Sequence, residues 1–471
     1  MVTTPNDSVV AQRLLVECAR APESLLLDGD HGPVTRGAFA IAATTRANDF
    51  RDAGLRAGDY IAVSAGRGNA FWIDLAATWI AGAVPLPLDA HMPIERRTAF
   101  EERTHPQWLI AGDGTLTPRP FARGTSDRDL AALLNTSGST GTPRAVCISA
   151  TALLGNVDAV RRVLASPPDI RLGIALPSHF TSAICHFLFA LLDGATLVFT
   201  ERRLLPAQLI EFLVGQNVTA FGGAPMQVRW IVDFGDAGVR GLRWMMTSGD
   251  HLPADVASAA LVRMPSTSLF VAYGLTEAAG RFCILDPREL SVAAGSVGRP
   301  IPGMAVAIRD EEGGLLGPGE TGDVYASGDY AATSYVEDPD ATAKRFTNHG
   351  IRTGDLGFLD SAGRLWLRGR NDDEFKSAGH KVNTVVIADA LLRTGLVSDV
   401  AVIGVPDPVV GASPCAYVVA LEGHTIEPAI LLNLLRQQLP PNHLPRWFIS
   451  LPAIPRTGSG KVERQALPAP R

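Results

Sequence analysis

LNTSGSTGTPRAV, residues 134–146, is the stretch on which the reading of the whole chain turns. Thr136, Ser137, Ser139 and Thr140 interleave with Gly138 and Gly141. The stretch stands between an apolar run at 130–134 and a helix expected to start near Ala150. Glycine reaches the positive φ values that a concave row of backbone N–H groups requires, and the hydroxyls add donors, so such a loop can close around one anion. A flexible Ser/Gly linker is the alternative that composition alone permits. Pro143 and Arg144 favour the anion cradle, because a linker needs neither a stiff exit nor a fixed cation. The loop is not of the GxxxxGK[ST] type: Gly138 to Gly141 is too short and no lysine follows.

At 471 residues the chain exceeds what a single core fills, and two or three domains are expected. Its 42 Lys and Arg against 48 Asp and Glu give a net charge of −6, which argues against a nucleic-acid surface and makes any anion site local. Cys18, Cys147, Cys185, Cys283 and Cys415 are scattered without a CxxC pair, the pattern of reduced core residues and not of a disulfide framework or a zinc site. The apolar run at 183–192 contains His186 and is too short to span a membrane, and no amphipathic, Arg-rich leader opens the chain. A soluble cytoplasmic protein is expected, a monomer or homodimer with neither nucleic acid nor membrane as partner.

Hydrophobic periodicity then orders the chain. A helix is expected over 36–54, a strand over 60–64, a helix over 69–82 and a strand over 83–88. After the Ser/Gly loop come a helix at 151–164, a strand at 173–176, a helix at 182–192, a strand at 196–199 and a helix at 206–216. Strands at 219–221 and 243–247, a helix at 254–263 and a strand at 269–272 complete the series. Alternation of this kind implies largely parallel sheets covered on both faces, with ligands bound beyond the carboxyl ends of the strands. Past Gly298 the texture changes to short β-like runs at 305–309, 322–327 and 365–368 between Gly, Pro and Asp turns, which suggests a small barrel-like subdomain over about 300–368. GRNDDEFK, residues 369–376, concentrates charge and marks the main boundary at 370–373. A small α/β unit follows, with helices at 387–394 and 427–439 and strands at 399–405 and 414–421.

Five motifs occur in order: the Ser/Gly loop, YGLTE (273–277), RTGDLG (352–357), GRNDDEFKSAG (369–379) and RTGSGKVERQAL (456–467). Together they resemble the adenylate-forming superfamily of acyl- and aryl-CoA synthetases, peptide-synthetase adenylation domains and luciferases, over nearly the whole chain. The resemblance implies an α/β fold with a large N-terminal domain at 1–371 and a small mobile α+β C-terminal domain at 372–471. It also implies a two-step reaction. A carboxylate attacks the α-phosphorus of ATP, pyrophosphate leaves, and the acyl-adenylate is captured by a thiol, either coenzyme A or the phosphopantetheine arm of a separate carrier protein.

Residue by residue, the resemblance assigns ATP contacts to Thr136, Ser137, Gly138, Ser139, Thr140, Gly141, Arg144, Tyr273 and Gly274, with Tyr273 over the adenine face. It sets Thr276 on the α-phosphate, Glu277 on Mg2+, Asp355 on the ribose hydroxyls with Arg370 nearby, and Lys461 on the reacting carboxylate. Asp372 falls at the hinge about which the small domain rotates. The residue types suit these tasks: a step that joins two anions is catalysed by positioning and cations. A carboxylate is a hard oxygen ligand for a metal that bridges phosphates, and a hinge belongs at a charged, solvated boundary.

The departures from the family pattern bear on the substrate. Arg144 and Ala145 stand where lysine and glycine are usual, exchanging a mobile point charge for a planar fork. Thr181 stands where amino-acid-activating relatives carry aspartate; an α-ammonium group would be buried there unpaired, so a standard α-amino acid is disfavoured. CoA synthetases often carry a histidine in this segment; His179 falls one place early and Phe180 in register, and both, with Thr181, Gly222, Gly223, Gly249 and Gly274, are the expected pocket walls. His186 reads as a core residue. TSGDHLP, 247–253, is closer to the adenylation-domain pattern, and Val386 and Ala388 replace glutamates usual in the thiol-delivery segment. The expected protein is an ATP-dependent, AMP-forming ligase of a small or medium carboxylic acid, with coenzyme A ahead of a carrier protein as acceptor. The alternative of another class is a degenerate nucleotide-binding regulator, against which Glu277, Asp355, Arg370 and Lys461 argue.

Overall fold

A nine-stranded sheet runs through the larger part of the chain in the order Arg299–Pro300, Gly280–Leu285, Ser268–Leu275, Trp244–Thr247, Ala220–Gly223, Arg171–Ile174, Thr196–Phe199, Leu25–Gly29 and Gly32–Thr35. The computed structural model describes residues 8–122, 129–136, 144–167, 169–235, 239, 241–370, 374–377, 380–421, 423–456 and 462–470. The chain divides into two compact units, one of residues 1–307, 325–352 and 363–365, the other of 308–324, 353–362 and 366–471. Among the described residues no helix is long and apolar enough to cross a membrane.

The inner strands of the nine pair in parallel, as the βα alternation requires, while both edges turn antiparallel. The carboxyl ends of Ala220–Gly223, Trp244–Thr247 and Ser268–Leu275 therefore lie side by side, and the expected pocket glycines sit there. A smaller sheet pairs Val84–Leu88, Tyr60–Ser64 and Trp108–Ile110 in parallel, with Leu116–Pro118 antiparallel at its edge. The strand expected at 173–176 is found at Arg171–Ile174, and the one expected at 269–272 extends to Leu275, so Tyr273 and Gly274 belong to it.

The Ser/Gly stretch is flanked by a β-hairpin. Leu130–Thr136 pairs antiparallel with Arg144–Ser149, Leu134 opposite Val146 and Thr136 opposite Arg144. Periodicity does not announce the returning strand. Its buried Val146 and Ile148 are β-branched and pack well on a pleated surface. Leu133 and Ala145 join a cluster with Ala62 and Leu86 of the smaller sheet and Phe100 of helix Ile94–Thr104. Ser149 then caps the helix Ala150–Leu164, its hydroxyl accepting from Ala152 N–H.

Helix Thr181–Asp193 is apolar on all sides, with every residue from Ala183 to Leu192 buried, and ends at Gly194 in the left-handed conformation (φ 75°). Phe187 stacks on Trp72 at 4.9 Å. Its last carbonyls are met by Arg36, 2% exposed, which donates to Leu191 O (2.8 Å), Ala190 O (2.9 Å) and Ala195 O (2.8 Å). A cation at a helix C-terminus also opposes the negative end of the helix dipole.

In the second unit Val397–Asp407, Gly411–Ala420 and Trp447–Ser450 form a three-stranded sheet. Helices Thr384–Leu392 and Pro428–Arg436 cover it through Ile387, Leu391, Leu431 and Leu435. Asn383 caps the first of these helices by accepting from Val385 and Val386 N–H.

Replacing Arg36 by methionine leaves three buried carbonyls without a donor. The expected result is a loss of about 3 kcal/mol of unfolding free energy in a urea titration, with an unchanged urea dependence.

Candidate active site

The strand Ser268–Leu275 leads into a single 3₁₀ turn, Thr276–Ala278, and the chain returns along Gly280–Leu285. The two strands approach so closely at the tip that a Cβ on Gly274 would lie 2.2 Å from Gly280 O. Only glycine fits there, and the turn holds Thr276 and Glu277 at the carboxyl end of the parallel sheet.

Glu277 is 4% exposed. Its Oε1 accepts from the Tyr335 hydroxyl at 2.5 Å and from Arg345 Nε at 2.9 Å. Among the described residues its Oε2 has no hydrogen-bond partner. Burial, together with the carboxylate beside it, raises the Tyr335 phenol above its ordinary range, so it stays a donor. Arg345 also donates to Arg352 O (2.8 Å), at the start of the RTGDLG motif.

Residues 334–336 lie along the returning strand of the hairpin. Cys147 N–H donates to Ser334 O (3.0 Å), Val336 N–H to Ala145 O (2.9 Å), and Tyr335 bridges Val146. The Arg144 guanidinium lies 5.7 Å from the Tyr335 ring centroid, and its Nε donates to Asp338 Oδ2 at 2.9 Å. One tyrosine thus touches both the cation at the exit of the Ser/Gly loop and the buried carboxylate. Thr136 faces Arg144 across the hairpin, with Oγ1 3.4 Å from Arg144 O.

On the acid side, Thr181 Oγ1 and Thr276 Oγ1 are 3.1 Å apart, which joins the first residue of the buried helix to the tip of the strand. Gly222 meets the same helix: a Cβ there would lie 2.1 Å from His186 Nε2. Gly223 is confined by Phe221 and Gln227, and Gly249 occupies an open position at φ 96°. His179 packs edge-on against Phe180, with ring centroids 4.6 Å apart. Burial pushes its imidazole down to about 4; Asp89 opposes the shift and His91 adds to it. Tyr273 packs on Phe282 at 4.6 Å.

In the second unit Asp355, 9% exposed, has Arg370 Nε at 3.3 Å from Oδ1, an ion pair without the alignment of a hydrogen bond. The Asp355 N–H donates to Thr353 Oγ1 (3.1 Å). Ser137, Gly138, Ser139, Thr140, Gly141, Asp372 and Lys461 lie outside the described residues.

The residues fit a divalent cation of the magnesium type at Glu277. One carboxylate oxygen is held by donors and the other is available, and Mg2+ is commonly bound through one or two carboxylates with its remaining positions on water and phosphate. Among the described residues no group of three or more His, Cys, Asp or Glu could hold a metal by itself.

Motif reading misses Tyr335, Arg345 and Asp338, which lie outside every motif, and Arg281, which carries a signal of its own. It is a lone charge in the otherwise apolar strand GRFCIL, every residue of which is buried.

His179 generates a pH prediction. Its folded-state value of about 4 lies below the ordinary 6.5, so the unfolded chain takes up a proton that the folded chain refuses. Its contribution to stability is complete above pH 6.5 and falls away as pH drops toward 4. Unfolding titrations between these limits should show that decline in the wild type and a shallower one in His179→Gln.

Comparison with known proteins gives the same architecture. The AMP-binding enzyme family model matches residues 113–336, and the AMP-binding enzyme C-terminal domain model matches residues 387–461. A linear gramicidin synthase of Brevibacillus parabrevis is 27% identical over 99% of this chain and 6% of that protein. A putative acyl-CoA ligase of Bacillus subtilis is 26% identical over 79% of this chain and 74% of its own length. The chain spans only 6–10% of the length of the large synthetases among its relatives. The o-succinylbenzoate CoA synthetase of Bacillus subtilis, solved in complex with its acyl-adenylate intermediate, superposes with a TM-score of 0.87 at 21% identity, over 100% of this chain and 99% of that one. With both family models matched in chain order and the fold shared from end to end, the chain belongs to the adenylate-forming superfamily of AMP-binding enzymes.

Proposed function

We propose that this chain is an ATP-dependent, AMP-forming ligase that activates a small or medium carboxylic acid and passes the acyl group to a thiol. The observation that carries the reading is the state of Glu277: a buried carboxylate with Oε1 fixed by Tyr335 and Arg345 and Oε2 available, one residue after Thr276. Such a group is positioned to hold a cation against phosphate oxygens. A bound Mg2+ would supply neutralisation of the charge that develops on those oxygens.

In the first half-reaction an oxygen of the substrate carboxylate forms a bond to the α-phosphorus while the bond from that phosphorus to the pyrophosphate oxygen breaks. Two anions must meet, and the chain's own contribution is to orient and neutralise them. The Thr276 hydroxyl donates at the α-phosphate, and Thr181, 3.1 Å from it, orders that hydroxyl. Thr136 and the residues that follow it, with Arg144, receive the pyrophosphate, and Asp355 with Arg370 takes the ribose hydroxyls. Lys461, by its motif, reaches the reacting carboxylate from the C-terminal domain, and Asp372 is the hinge that brings it in and withdraws it. In the second half-reaction a thiolate attacks the acyl carbon and AMP leaves. The relatives include an acyl-CoA ligase and a gramicidin synthase, and two acceptors fit the reading: coenzyme A, or the phosphopantetheine arm of a separate carrier protein.

ATP–pyrophosphate exchange with a panel of carboxylic acids tests the reading. Acid-dependent exchange is expected; nucleotide binding without exchange for any acid would overturn it in favour of a nucleotide-binding regulator. Lys461→Ala is expected to lower the exchange rate by at least about 100-fold. Capture by coenzyme A of an acyl-adenylate supplied from outside should be far less affected, and equal loss in both steps contradicts the two-conformation mechanism.

A further inference from the structure

Among the described residues of the first unit two arginines are buried, and their surroundings differ. Arg36 is spread over three carbonyls. Arg281, 4% exposed, has a different environment. Its Nη2 donates to Ser182 Oγ at 2.9 Å and lies 3.1 Å from His186 Nε2 and 3.3 Å from Nδ1. Neither neighbour is an anion. Burial, reinforced by the guanidinium itself, holds His186 well below its ordinary value, so the ring is neutral and can accept. Among the described residues no carboxylate reaches Arg281, and Glu277, four positions earlier in the chain, is engaged by Tyr335 and Arg345. A guanidinium in this setting keeps its charge, and a buried charge without a counter-ion is destabilising by several kcal/mol.

We infer that the counter-ion is a second carboxylate of the substrate, and that the acid activated by this chain is a short dicarboxylic acid; the inference rests on the ligase reading above. The position of Arg281 supports it. Arg281 stands opposite Gly274 in the antiparallel register of the strands that carry Thr276 at their tip. Its partner Ser182 directly follows Thr181, which touches Thr276, and its partner His186 fills the space beside Gly222. The reacting carboxylate at Thr276 and a second head group at Arg281 are therefore served by adjacent residues of one helix. Arg281 and His186 line, with Val157, Val160, Phe189 and Met246, a small cavity of about 10 Å³, room for about one water. An arginine fork suits a carboxylate in two-point contact.

The test compares acids of equal chain length, succinate with butyrate and glutarate with valerate, by ATP–pyrophosphate exchange. The wild type is expected to favour each diacid by about 100-fold or more in kcat/KM, since a site built for a polar head strongly rejects an analogue that lacks it. Arg281→Met is expected to lose the diacid and gain the monoacid. Ser182→Asp supplies an internal counter-ion, should fold where Arg281→Met does not, and should likewise abolish the diacid preference. Equal use of diacid and monoacid by the wild type, or an unchanged ratio in a folded variant, overturns the inference while leaving the ligase reading intact. Thermal melts without ATP separate the two further. Succinate should raise the melting temperature where butyrate does not, and the shift should vanish in both variants. If that shift is seen but no acid supports exchange, the ligase reading fails and the anion site stands; if succinate gives no Arg281-dependent shift, the anion site fails.

Discussion

The hydrogen bond between the Tyr335 hydroxyl and Glu277 Oε1, 2.5 Å long, joins the hairpin side of the chain to the tip of the large sheet, beside the Ala332 N–H that donates to Glu277 O at 2.8 Å. Tyr335 is fixed from below by main-chain pairing of 334–336 onto the returning strand of the hairpin and from above by the Arg144 guanidinium. Glu277 is fixed by the close approach of Gly274 to Gly280. Neither strand by itself would hold the carboxylate beside the hairpin, because the hairpin and the nine-stranded sheet are separate sheets. The phenol is the crosspiece. Burial and the carboxylate both keep the phenol protonated, so it remains a donor across the working pH range.

The same logic explains why Glu277 presents two unlike oxygens. A carboxylate buried with both oxygens saturated would be a structural anchor, and one with neither oxygen held would be free to rotate and poorly placed. Holding one oxygen with a phenol and a guanidinium aims the other. Arg345 does this while also donating to Arg352 O, so the direction of the carboxylate is coupled to the start of the RTGDLG strand.

Much of this site is legible in the sequence because its chemistry is local. Thr276 and Glu277 sit together at a strand end, and the Ser/Gly loop announces itself through glycine and hydroxyl content. What periodicity and motifs miss are the partners that come from far away: Tyr335 is 58 residues from Glu277, Arg345 is 68 residues away, and Arg281 meets His186 across 95. No short-range pattern specifies such pairs. His186 shows the limit most clearly. As a lone histidine in an apolar helix it reads as core filler; it is indeed buried, but one face of its ring meets a charged guanidinium. The returning strand Arg144–Ser149 is hidden for another reason. Six residues beginning with arginine and holding a cysteine carry little alternation, and pairing with Leu130–Thr136 is what makes them a strand.

Arg36 reaches from the start of an early helix to the end of the helix whose first turn carries Thr181 and Ser182. The helix proposed to face the acid is therefore anchored at its far end by a residue more than a hundred positions upstream. Its axial position follows the N-terminal segment as much as the sheet beneath it. Transplanting residues 176–199 from a relative to change acid preference would carry over the lining of the pocket but not its anchor. A chimera faithful to the donor's geometry needs the donor's counterpart of Arg36 as well. On the proposed pocket, acid specificity is in that sense a property of two segments that recombination would readily separate.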